Sequence, residues 1–288
     1  MLNNRFHQVH ASMPRLSRVL VVVQGNVTVK PHHVTSLACL LEEYRLAGID
    51  ILFQDASPIV YPYLQSIGFL DRWNSSQTQE SSFLPASDST FFTLWKAEPH
   101  TLDIYARQAY QHYRNGFFAG KDLSFLPTYL AELFNNVFDH AFAVDATQRI
   151  AFGFLQYYPS RGRLFISVSD FGMGIPTSVN HFLSRQNQET VTATEALRMA
   201  LQLHFTAQSH PHNRGRGLDT LSTGIQGLKG RFAIQTARAI YYASESGKVI
   251  FHPIPDTSFP GTTITVTVFY NNLAIEELDV LEDDDALF

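Results

Sequence analysis

The ordered pattern of the chain begins at Arg18-Val-Leu-Val-Val-Val-Gln, an apolar run closed by Gly25-Asn26 that reads as a buried strand. Residues 1–15 lack periodicity and read as a lead-in. A helical period runs from Pro31 to Ala47 and stops at Gly48, a residue suited to a helix C-cap. Ile49-Asp-Ile-Leu-Phe-Gln reads as a second strand, and Pro58 opens a helical stretch carrying Val60, Tyr63, Leu64 and Ile67. This order predicts a small β-α-β-α unit over residues 1–73, and Ser57 is expected to cap its second helix. Residues 74–91, rich in Ser, Gln, Thr and Asp, read as a linker. A larger unit starts near Phe92, with helices at about 99–116 and 122–142 and paired strands at 149–158 and 163–169. An insertion follows over 177–213 with one helix near 192–204, then a helix from Gly217 to Leu228. Strands are expected at about 231–237, 239–244, 248–253 and 262–270. The pattern predicts an α/β fold, the second unit (92–271) being a sandwich with helices on one face of a mixed sheet.

Three short stretches interrupt that pattern with chemistry. Glu132-Leu-Phe-Asn-Asn136-Val-Phe-Asp139-His140-Ala141 places a carboxylate, a carboxamide and an imidazole at i, i+4 and i+8, one polar stripe if the segment is a continuous α-helix. Asn135 is rotated off that face. Asp170-Phe-Gly172-Met-Gly174-Ile175-Pro176 and Arg214-Gly215-Arg216-Gly217-Leu218 are glycine-rich turns, where backbone can approach a ligand without a Cβ in the way. Together they describe a nucleotide site that uses no P-loop.

This trio resembles the ATP-binding core shared by DNA gyrase, the heat-shock chaperone of the ninety-kilodalton class, histidine kinases and mismatch-repair ATPases. That group is the GHKL superfamily, whose domain is the Bergerat fold. Glu132 to Ala141 is similar to its N box, Asp170 to Pro176 to its G1 box and Arg214 to Leu218 to its G2 box. Pro260-Gly261-Thr262 resembles the Gly-Thr that opens its last core strand. The wording Glu-Leu-x-x-Asn-x-x-x-His-Ala is closest to the anti-sigma-factor kinases and related bacterial regulators, and the likeness spans roughly residues 95–271. The β-α-β-α unit faintly resembles a STAS domain, although the Asp-Ser-Ser/Thr-Gly phosphoacceptor signature is absent.

The resemblance implies ATP and Mg²⁺ as ligands. Asn136 would supply the protein's oxygen to Mg²⁺, a hard ion that otherwise keeps water and phosphate. Glu132 would act as general base; a solvated or capping glutamate is the alternative. Asp139 corresponds to an acid that orders water near the nucleotide, and His140 either lines the phosphate side or is structural. Asp170, acceptor-only when ionised, would take the adenine amino group. Taken alone, Asp170-Phe-Gly172 would be an ordinary turn. Gly172 and Gly174 would bend the loop against the base, Ile175 would shape the wall, and Thr262 would complete the adenine contact through water. Gly215, Gly217 and Leu218 would open a helix whose N-terminus faces the triphosphate. Arg214 and Arg216 either reach the γ-phosphate or are surface arginines. The insertion 177–213 would then be a lid ordered by nucleotide. His210 and His212, two histidines without further ligands, do not read as a metal site.

Composition narrows the setting. No run of ~18 apolar residues predicts a membrane span, and no apolar segment follows Arg5, His7 and Arg15 to make a secretory signal. Cys39, the single cysteine, excludes an intrachain disulfide and fits a reducing cytoplasm. Residues 276–288 carry seven acids and no Lys or Arg; without them the chain has 21 basic and 19 acidic residues, so nucleic-acid binding gains no support. That tail reads as a disordered solvated end, or as a partner-docking or autoinhibitory segment.

Three functions are compatible with these residues. One is Mg²⁺-dependent ATP hydrolysis driving a lid or dimer switch; another is a serine/threonine kinase of the anti-sigma-factor type; the third is a non-catalytic module gated by ATP. A protein partner, met through the N-terminal unit or the tail, belongs to all three, and a homodimer is left open. Self-phosphorylation is disfavoured, because His112 lacks the acid that follows a phosphoacceptor histidine. Gyrase-like action would need a transducer domain, for which residues 272–288 leave no room.

Overall fold

A computed structural model of the chain describes residues 16–25, 28–74, 85–143, 145–202, 217–254 and 259–276. The N-terminal unit comprises β1 (Arg18–Gln24), α1 (Pro31–Leu46), β2 (Asp50–Ala56), α2 (Val60–Ser66) and α3 (Phe69–Asn74). Pro31 opens α1 at a position where its missing N–H costs no helical bond. The crossover through α1 makes β1 and β2 a parallel pair. Ser57 is not the N-cap of α2, a position Ile59 holds; it lies two residues earlier in the lead-in turn, where its Oγ accepts the Val60 N–H at 3.0 Å.

The remaining chain forms a seven-stranded sheet. It contains β3 (Phe91–Lys96), β4 (Ala151–Tyr158), β5 (Arg163–Asp170), β6 (Arg231–Ala237), β7 (Ala239–Ala243), β8 (Val249–Pro253) and β9 (Phe259–Phe269), in the order β3-β4-β5-β9-β6-β7-β8. Its helices are α4 (Leu102–Gly116), α5 (Phe125–Asn136), α6 (Ile175–Arg185), α7 (Ala193–Ala200) and α8 (Leu218–Gly227). The α/β class expected from the sequence is the class observed.

Three particulars differ from expectation. Every pairing in the large sheet is antiparallel, so this sheet is not mixed. Strand β3 adds an edge where only a domain start was expected. Helices also lie on both faces. On one, α4, α5 and α8 cover Ala151, Leu155, Leu164, Ile166, Val168, Ile264, Val266 and Val268. On the other, the N-terminal unit packs Val34, Ala38, Leu41, Phe69 and Trp73 with Leu94, Phe152 and Phe154 of β3 and β4. The two-residue period of β4 serves both cores at once, even positions facing one and odd positions the other.

Polar contacts secure this second layer. Glu42 of α1 is buried, and its carboxylate meets Arg45 Nη2 and Lys96 Nζ of β3, both at 2.7 Å. Burial alone would raise the Glu42 carboxyl, but these two cations hold it near 2. Tyr63 donates to Gln156 Oε1 at 2.6 Å, and Tyr158 to the Val29 carbonyl at 3.2 Å. No helix among the described residues is long and apolar enough to cross a membrane.

Candidate functional site

Strand β5 ends at Asp170, directly opposite Thr262 of β9 in the antiparallel register. Along β5, alternation sends Leu164, Ile166 and Val168 into the core, and Asp170 continues that row, 4% exposed. A carboxylate thus occupies an aliphatic position. Its Oδ1 accepts the Gly172 N–H at 2.9 Å, and the Thr262 backbone N–H also donates to the group. Burial nevertheless pushes the carboxyl up to about 7, the two donors opposing the shift.

Two glycines make this arrangement possible. A Cβ on Gly172 would overlap the Ala141 carbonyl, and one on Gly261, whose φ is +75°, would overlap the backbone carbonyl of Asp170. Met173 N–H donates to Ala141 O at 2.7 Å, joining the end of the first motif to the turn of the second. Thr236, fully buried on β6, completes the corner. Its Oγ1 donates to Gly261 O at 2.9 Å, accepts the Ile175 N–H at 3.1 Å and lies 3.2 Å from Thr262 Oγ1. Nothing in the sequence singles out Thr236, one threonine in an alternating strand.

Ile175 is the first residue of α6 rather than part of a bare loop, with Gly174 (φ +75°) as N-cap and Pro176 in the first turn. The described part of the insertion contains two helices where one was expected. Val179 and Leu183 of α6 pack on Ala196 of α7, and Asn180 brackets Val191 by accepting its N–H at 2.8 Å and donating to its carbonyl at 3.1 Å.

The first motif is also less regular than a single helix. Helix α5 ends at Asn136, and Val137–Ala141 winds as a π turn. Bonds from i to i+5 displace His140 from the stripe that an uninterrupted α-helix would have continued; such turns concentrate at functional sites. Glu132 and Asn136 keep the four-residue spacing. Asn136 Nδ2 donates to the Glu132 carbonyl at 2.6 Å, which directs the carboxamide nitrogen down the helix and leaves Oδ1 as the acceptor end. Tyr129 sits three and seven residues before them on the same face. It meets α8 where a Cβ on Gly224 would collide with its hydroxyl, so that face of α5 looks toward α8. Asp139 and His140 are partly buried within the π turn.

Gly217 is the N-cap of α8 and Leu218 its buried first residue. Arg214, Gly215 and Arg216 lie outside the described residues, as do residues 203–213 of the expected lid with His210 and His212, and residues 277–288 of the tail. A separate cavity of about 300 Å³ lies among α7, α8, β7 and β8, lined by Arg198, Asp219, Ser222, Gln226, Tyr241 and Phe251; none of the motif residues lines it. His112 on α4 is half-buried with Nε2 2.8 Å from the Ser89 carbonyl.

The donor set fits a hard cation only sparsely. Among the described residues no three His, Cys, Asp or Glu side chains converge as a metal site. Searches against protein-family models and curated proteins found no match for this chain.

Proposed function

We propose that the chain is an Mg²⁺-dependent ATP-binding regulator of the GHKL type that hydrolyses ATP to drive a conformational switch. The observation that carries this reading is the meeting of three sequence-distant motifs at one strand end: Ala141 against Gly172, Gly261 against Asp170, and Asp170 opposite Thr262. A buried carboxyl held by backbone donors, with no aliphatic reason to be there, suits recognition of an exocyclic amine. The ionised Asp170 accepts from the adenine amino group and would reject guanine, which presents a carbonyl at that place. Gly172 and Gly261 let the neighbouring backbone close on Asp170, and Thr236 and Thr262 pack beside it. Asn136 offers Oδ1 to Mg²⁺, and Glu132 on the same helical face takes the proton from the attacking water. In this reading the start of α8, capped by Gly217, would face the anion end, and the charges of Arg214 and Arg216 would add to it. ATP supplies the phosphoryl group and Mg²⁺ neutralises it. A protein partner docking on the N-terminal unit or the acidic tail belongs to the same reading.

Phosphate and ADP release from Mg-ATP, wild type beside Glu132→Ala, tests it. Turnover abolished by Glu132→Ala while ATP still binds is the expected result. Binding without turnover in the wild type would replace hydrolysis by a kinase or a nucleotide-gated module. An Asp170→Asn variant with unchanged ATP affinity would remove the adenine assignment, and an Asn136→Ala variant binding Mg-ATP normally would remove the metal ligand.

A further inference from the structure

Behind Asp170, on the opposite face of the sheet, the layer between α1 and the strands changes from hydrocarbon to hydroxyl. Thr35 Oγ1 lies 2.7 Å from Ser169 Oγ and 3.1 Å from Ser167 Oγ. Ser36 Oγ lies 3.3 Å from Ser169 Oγ and 3.2 Å from Thr263 Oγ1, and Ser169 and Thr263 are 2.8 Å apart. One turn on, Cys39 donates its thiol to the Ser169 carbonyl at 3.3 Å. Thr35, Ser167 and Ser169 are fully buried and Thr263 nearly so. An aliphatic interface would tolerate sliding; linked hydroxyls are directional, and a fully partnered buried set selects one seating of the helix.

The location of this cluster gives it consequence. Ser169 and Thr263 are opposite one another in the β5–β9 register, and the next rung is Asp170 and Thr262. Successive residues point to opposite faces about 3.3 Å apart along the strand. The hydroxyls under α1 therefore hold, from behind, the backbone that aims Asp170 and supplies the Thr262 N–H to it. Cys39 is fully buried, and its burial, with Asp170 nearby, pushes the thiol up.

We propose that Thr35 and Ser36 are positioning residues for adenine recognition, and that the N-terminal unit governs nucleotide affinity through the seating of α1 on the Ser169–Thr263 rung. This inference rests on the ATP-binding reading above. It makes the N-terminal unit a regulatory part of the site: a partner that lifts or rotates α1 lowers ATP affinity without touching the pocket.

A double-mutant cycle on the full chain tests it, with Mg-ATP affinity measured by calorimetry below the melting temperature of every variant. Thr35→Val keeps the shape and removes the hydroxyl; Thr35→Ser restores it; Ser36→Ala, at a half-buried position, gives a second cycle should Thr35→Val fail to fold. In the wild-type background Thr35→Val or Ser36→Ala is expected to weaken ATP by about 3–10-fold, a coupling of the size neighbouring residues show. Thr35→Ser stays within about 2-fold, and in the Asp170→Asn background the same substitutions change affinity by less than about 2-fold, because the group they position is gone. Equal losses in both backgrounds, or no loss in the wild type, overturn the inference while the site reading stands. Loss of ATP affinity in Asp170→Asn is the separate criterion for that reading: without it, reading and inference fall together.

Discussion

On one face of β5 and β9, Leu164, Ile166, Val168, Ile264, Val266 and Val268 enter a hydrocarbon core under α4, α5 and α8; on the other, Ser167, Ser169 and Thr263 meet the hydroxyls of α1. The same two strands thus carry two kinds of cohesion. The aliphatic face is held by area removed from water, which has no direction. The hydroxyl face contributes less per residue but specifies one alignment. At the site end the aliphatic row is replaced by Asp170 and Thr262, where a carboxyl is buried at a cost to the fold. The difference teaches where this molecule is built for cohesion, where for register, and where a buried carboxyl costs stability.

The harshest break in the comparison is at the corner itself. Gly172→Ala drives a Cβ into the Ala141 carbonyl, and the expected outcome is a chain that fails to fold or loses at least about 4 kcal/mol, together with ATP binding, in urea titration. Ile166→Ala, on the hydrocarbon face, is expected to cost about 3–4 kcal/mol by the same measurement.

Asp170→Asn sharpens the comparison through pH. The Asp170 carboxyl is raised from 3.8 to about 7 in the folded chain. Below about 4 it is protonated in both folded and unfolded states. Between about 4 and 7 the unfolded state ionises first, so stability falls as pH rises; above about 7 both are ionised and the penalty is constant. The Tm of Asp170→Asn relative to wild type is therefore expected to rise from pH 4 to 7 and then level, by an amount equivalent to about 4 kcal/mol. A flat difference would mean that the carboxyl is not buried as described. The smallest effect belongs to the hydroxyl face: Ser167→Ala is expected to cost about 1 kcal/mol, one net hydrogen bond. A loss there as large as that of Ile166→Ala would erase the distinction between the faces.

Most strands were legible because their apolar residues alternate or run continuously, as in Arg163–Asp170 and Arg231–Ala237. Strand β3 was not. A bulge between Phe92 and Trp95 puts both into one core while Leu94 enters the other, so no two-residue period survives. Helix α6 was obscured by its Ser, Asn and His content, although Gly174 and Pro176 mark its start. Asp170, Gly172, Gly174, Ile175 and Thr262 stood out as motif residues, and the fold brings them to one corner. Thr236, Thr35 and Ser169 did not, because an isolated hydroxyl in a strand or helix reads as a solvent-facing position until something is packed upon it.

The sequence by itself determined the α/β class, nearly every element and the order of the glycine turns, since periodicity and turn chemistry are local properties. Only the tertiary structure decided that the sheet is antiparallel throughout, that its second face is covered by α1, and that Asp170 is pressed between Gly172 and Gly261. Those facts depend on strand register and layer order, which arise from contacts between residues far apart in the chain and leave no local period to read.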